Sequence, residues 1–136
     1  MKRFGLYKKQ KLCSQRAIDE LFAAGGAEFS RLAYPLRAMG RADSRRSSDA
    51  AVAFLISVPK RRLRHAVDRV LMRRRIREAF RLSHQNHPLP EGVRVDLAFV
   101  YVADRPVPYA SVSRAMDKLL TSLSEHYAER HAEPGE

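Results

Sequence analysis

The stretch from Ala51 to Val58 (AVAFLISV) carries no charge and only one polar side chain. An apolar run of this kind, without alternation, predicts a strand covered on both faces, because a half-exposed strand turns every second residue to water. Such a strand belongs to a sheet with material packed on each of its faces. The chain then changes character abruptly: Lys60 to Arg81 is rich in cations, HQNHPLPEG reads as a loop, and Val93 to Ala103 (VRVDLAFVYVA) is a second strongly apolar segment. Strand, basic helix, strand is therefore the expected centre of the fold.

Around this centre the other elements follow from local signals. Ser14 can cap a helix whose apolar positions Ala17, Ile18, Leu21 and Phe22 keep helical spacing, with Gly25-Gly26 ending it. Residues 32–40 (LAYPLRAMG) predict a strand in which Pro35, having no N–H, argues for an edge or a bulge. Residues 42–50 (ADSRRSSDA) form a polar loop. The basic helix is expected from His65 or Ala66 to about Ser83, and a last helix from about Tyr109 to Tyr127 with Val112, Met116, Leu119, Leu120 and Leu123 on one face. The order α, β, β, α, β, α predicts an α+β protein with one sheet and helices packed on it. At 136 residues the chain suits a single domain, residues 1–136, with residues 1–13 a basic arm and 128–136 a tail expected to be flexible.

Charge gives the first functional constraint. Lys and Arg number 26 against 15 Asp and Glu, for a formal charge of +11. Residues 1–16 hold six basic and no acidic residues, residues 60–81 ten basic against two acidic, and the remainder ten basic against thirteen. The excess is thus confined to two segments, which suits a polyanionic partner better than general solubility. Within the second segment Arg69, Arg73 and Arg77 recur at every fourth residue and line one stripe of a helix. Like charges at that spacing repel by roughly 0.2–0.5 kcal/mol per pair, which an answering anion would relieve. Val67, Met72, Ile76, Ala79 and Phe80 are expected to form the flank that docks on the sheet. Most of these cations are Arg, whose planar fork suits bidentate phosphate contact.

Other chemistries find little support. Cys13 is the sole cysteine, so no disulfide can form within the chain. The histidines lack a spacing that would place a third metal ligand, and no phosphate-binding, dinucleotide or nucleophile-elbow motif occurs. His65, Asp68 and Arg69 could be imagined as an acid–base pair beside a clamp, although Asp68 among so many Arg reads more simply as an ion-pair partner. No apolar run reaches the ~18 residues of a membrane span, and the basic N-terminus lacks the core of a secretory signal, so the cytoplasm is expected and no membrane. A helix lying on a membrane surface would need large apolar anchors opposite its charge, and here that face is wanted by the sheet.

The run SVPKRRLRHAVDRVLMRRRIREAFR, Ser57 to Arg81, resembles the signature of the protein subunit of bacterial ribonuclease P. In that family a buried strand and basic turn lead into a helix opening Ala-Val-x-Arg-Asn-Arg and closing with Arg-Glu. Ala66-Val67-Asp68-Arg69 matches the opening, and Arg73, Arg74, Ile76, Arg77 and Glu78 match the close. Asp96 to Leu123 is similar to the family's final strand and helix. Two departures stand out: Val70 and Leu71 occupy the positions of the family's Asn and second Arg, and the glycine usual in the basic turn is missing.

The resemblance implies an α/β sandwich with a mixed sheet of about four strands, three helices and a left-handed βαβ crossover around the basic helix. It implies a subunit of a hydrolase, an endoribonuclease that removes the 5′ leader of precursor tRNA to give the mature tRNA 5′ end. Catalysis would lie in the RNA subunit with magnesium bound mainly by RNA, so no catalytic or metal-ligating residue is assigned to this chain. The partners implied are ribonuclease P RNA and the precursor tRNA leader, in a ribonucleoprotein with one monomeric protein per RNA. The residues carried over or read from the charge for RNA binding are Lys60, Arg61, Arg62, Arg64, His65, Arg69, Arg73, Arg74 and Arg77, with Lys8, Lys9 and Lys11 of the arm. Phe22, Tyr34 and Ser57 are the candidates for the leader cleft. A basic protein associated with ribosomal RNA, without a role in cleavage, is the alternative.

Overall fold

A computed structural model describes residues 22–23, 27–42, 52–87 and 95–132. Four strands, β1 (Phe29–Ala33), β2 (Leu36–Ala42), β3 (Val52–Ser57) and β4 (Val95–Tyr101), form one sheet in the order β1-β2-β4-β3. Pairing is antiparallel for β1 with β2 and for β2 with β4, and parallel for β3 with β4, so the sheet is mixed. A parallel pair cannot be joined by a tight turn. The connection between β3 and β4 includes the helix α1 (Ala66–Ser83) and a short 3-10 turn (His84–Asn86), and α2 (Tyr109–Ala132) follows β4.

The predicted strand over residues 32–40 is two strands. Pro35 falls in a two-residue turn, Tyr34-Pro35, between the paired residues Ala33 and Leu36, and its peptide bond is cis. Since proline cannot donate to a ladder, it marks the reversal rather than an irregularity within one strand. The Pro35 carbonyl accepts from the Val102 N–H at 2.9 Å, tying the turn to the end of β4. The last helix also runs to Ala132, past the expected Tyr127. Two α-helices lie among the described residues; the helix expected from Ser14 falls outside them apart from Phe22 and Ala23.

The two sheet faces differ. Leu36, Ala38, Phe54, Val95, Leu97, Phe99 and Tyr101 form the face that meets the helices and are buried. Met72, Ile76, Ala79 and Phe80 of α1, and Val112, Met116, Leu119, Leu120 and Leu123 of α2, close the core. Phe80 is its hub, with ring centroids 4.4 Å from Phe54 and 5.7 Å from Phe99. Burying each such side chain contributes about 1.5–3 kcal/mol. Val67, expected on this flank, instead faces solvent. It lies nine residues before Ile76, and at 100° per residue that is half a revolution away.

Candidate RNA-binding surface

The basic turn is built on a buried anchor. The Pro59 carbonyl accepts from the N–H groups of Arg62 and Leu63 at 3.0 and 3.2 Å, closing the turn without a glycine. Leu63 plugs into the core, and Lys60, Arg61 and Arg64 are left exposed around it, with Arg62 half-buried. His65 is the N-cap of α1 with extended backbone and no side-chain cap. Just before the helix, Nη1 of Arg69 donates to the carbonyls of Leu63 and Arg64 at 2.9 and 2.8 Å. Arg69 therefore ties the turn to the first turn of the helix. Asp68 in that first turn complements the helix dipole.

The arginines of α1 accordingly divide. Arg69 and Arg73 are half-buried at the flank of the core, whereas Arg77 is exposed, because a repeat of four drifts around a helix of 3.6 residues per turn; Arg74, a further 100° round from Arg73, is exposed as well. Arg75 donates to the Val107 carbonyl, joining α1 to the segment before α2. Arg81 pairs with Glu78, its Nε lying 2.9 Å from Oε1, and that hydrogen bond holds the Glu78 carboxyl below the usual carboxylate range. At the far end, Nδ1 of His84 donates to the Phe80 and Arg81 carbonyls at 2.9 and 3.1 Å, and the ring stacks on Phe80 at 4.8 Å. His87 contacts Asp117 of α2 at 2.8 Å. These histidines brace helix ends and belong to no metal-ligating cluster among the described residues.

The sheet face away from the helices carries mostly small and aliphatic side chains with a few charges. In register across it stand Arg37, Val100 and Ser57; Met39, Ala98 and Leu55; and Arg41, Asp96 and Ala53. Ala53 and Ala98 form its buried floor, packed by Met39 and Leu55, and Asp96 is 4% exposed. Ser57 lies on this face, with Arg37 exposed in the same row. Tyr34 does not lie on this face. It projects from the hairpin turn and lines a groove of about 410 Å³ with Leu32, Pro108, Ser111, Arg114 and Lys118. Beneath that turn the Tyr101 hydroxyl donates to the Arg105 carbonyl, and burial, reinforced by nearby Tyr34, pushes its pKa up to about 12. Phe22 is exposed, and Lys8, Lys9 and Lys11 lie outside the described residues. Arg37, Arg114 and Lys118 were missed from sequence. The alternation in LRAMGRA, with Leu36, Ala38 and Gly40 on one side, could have placed Arg37 on the face away from the helices.

A cationic turn and helix mounted on an α+β core define a protein suited to docking on a polyanion. Comparison with known proteins gives the family. The model of the family described as Ribonuclease P matches residues 6–124. The ribonuclease P protein components of two strains of Porphyromonas gingivalis, one of them W83, are each 36% identical over 124 residues, covering 89% of this chain and 88% of the relative. The chain belongs to the ribonuclease P protein family, and its partner is an RNA within a ribonucleoprotein.

Proposed function

We propose that this chain binds the catalytic RNA of ribonuclease P and the 5′ leader of precursor tRNA, assisting hydrolysis of the phosphodiester bond that frees the mature 5′ end. The observation that carries the reading is the fixed basic edge: Leu63 anchors the turn, Arg69 locks it to α1, and Lys60, Arg61, Arg64, Arg74 and Arg77 are left exposed to meet phosphates. Arg62, His65 and Arg73 extend that edge, and Lys8, Lys9 and Lys11 would add to it from the arm. The sheet face holding Ser57 takes leader nucleotides, while Tyr34 offers a ring for stacking at its separate groove and Phe22 another. The cations position RNA and lower its self-repulsion; bond cleavage is assigned to the RNA subunit. Magnesium is likewise assigned mainly to RNA, and the described residues of this chain offer no cluster to hold it. The reading also carries a left-handed β3-α1-β4 crossover, a monomeric protein matched one to one with its RNA, and a cytoplasmic setting. No helix among the described residues is long and apolar enough to cross a membrane.

The test is reconstitution. The protein alone leaves precursor tRNA intact, and together with the ribonuclease P RNA of its own organism it restores 5′ cleavage at a magnesium concentration where that RNA alone is inactive. Failure to restore cleavage with that RNA would sink the proposal.

A further inference from the structure

The side of α1 opposite the core is not simply cationic. Val67, Val70, Leu71 and Arg74 fall at i, i+3, i+4 and i+7 and so form one outward stripe. Val67 is 75% exposed, Val70 41% and Leu71 37%, in contrast to Met72 and Ile76, which are fully buried on the other side. Exposed valines add nothing to the core and are indifferent helix formers. Around this apolar strip stand exposed cations: Arg64 and His65 at its N-terminal end, and Arg74 and Arg77 at its C-terminal end. The surface therefore asks for a ligand that is anionic at its margins and apolar in its middle.

We propose that Val67, Val70 and Leu71 hold an unpaired nucleotide of the RNA partner, packing on its base face and ribose carbons while Arg64, Arg74 and Arg77 take the neighbouring phosphates. The inference rests on the functional reading above and specifies what that surface grips. A paired RNA helix offers this strip mainly hydroxyls, phosphates and polar base edges, whereas a splayed nucleotide offers ring faces that aliphatic side chains cover well. Valine and leucine have no donor or acceptor, so the contact is indifferent to base identity. A second copy of the chain is disfavoured by charge, since ten basic against two acidic residues in 60–81 would meet their like. Val70 and Leu71 stand where the family pattern has Asn and Arg.

The experiment measures affinity for transcribed ribonuclease P RNA over a salt series, with unaltered protein and a V70S/L71Q variant. The variant is expected to bind about fivefold more weakly at every salt concentration, with the slope of log K against log salt unchanged. Both positions are exposed, so its melting temperature should match the parent's. A benzophenone side chain placed at position 70 should cross-link to an unpaired nucleotide. Unchanged affinity, a reduced salt slope, cross-links confined to base-paired nucleotides, or a cross-linked protein dimer would each overturn the inference. Absence of RNA binding by the unaltered protein would overturn the functional reading and this inference with it; intact binding with an unmoved variant overturns the inference alone.

Discussion

Arg69 and Arg77 belong to the same helix, two turns apart on what the spacing presents as one stripe, yet they do different things. Arg69 is turned inward, its guanidinium on the carbonyls of Leu63 and Arg64, while Arg77 projects into solvent. The same contrast separates Arg75, bound to the Val107 carbonyl, from the adjacent Arg74. Net charge does not distinguish them. A cation held by a backbone carbonyl is spent on the fold, and about a quarter turn of helical phase separates such a residue from an exposed one.

Substitutions can break the comparison in order of effect. Phe80→Ala removes the ring shared by Phe54, Phe99 and His84 and should cost about 3–5 kcal/mol of stability in urea unfolding, abolishing RNA binding only through loss of the fold. Arg69→Ala should cost about 1.5–3 kcal/mol, since two hydrogen bonds from a charged group are lost at a half-buried site. Arg77→Ala should leave stability within about 0.5 kcal/mol and instead lower the salt slope of RNA binding by about one unit. If Arg69→Ala proves neutral to unfolding and reduces the slope as Arg77→Ala does, the division of labour is wrong. The smallest effect is at Glu78. Its carboxyl is held below the ordinary 4.5 when folded, so its pairing with Arg81 stabilises above that value and is lost as pH falls through the lower folded pKa. Glu78→Gln should therefore slightly narrow the stability difference between neutral and strongly acid solution, with little change in RNA affinity.

Much of this was legible in the residues themselves. The uninterrupted apolar run ending at Val58 gave β3, and the basic helix was placed at its observed bounds, because both depend on local pattern. Pro35 was harder: a missing N–H is compatible with an edge, a bulge or a turn, and only pairing of Leu36 with Ala33 decides for the turn. Val67 was placed on the wrong side of the helix because an apolar residue beside a core stripe was counted with it, although its phase opposes Ile76. The role of Arg69 could not be seen, since the carbonyls that it holds converge only once Leu63 is buried. The groove at Tyr34 escaped notice for the same reason, being assembled from residues some 70–90 positions apart in the chain.

The tie between Arg69 and the turn has a kinetic and entropic side. A loop of five residues carrying four cations would, if free, sample many arrangements, and an RNA would have to order it on arrival. Here that ordering is completed during folding of the protein itself. Ribonuclease P RNA would meet a surface whose spacing is already set, so more of the interaction energy appears as affinity. Loosening the clamp should register first as slower, weaker capture of RNA by a protein that is still folded.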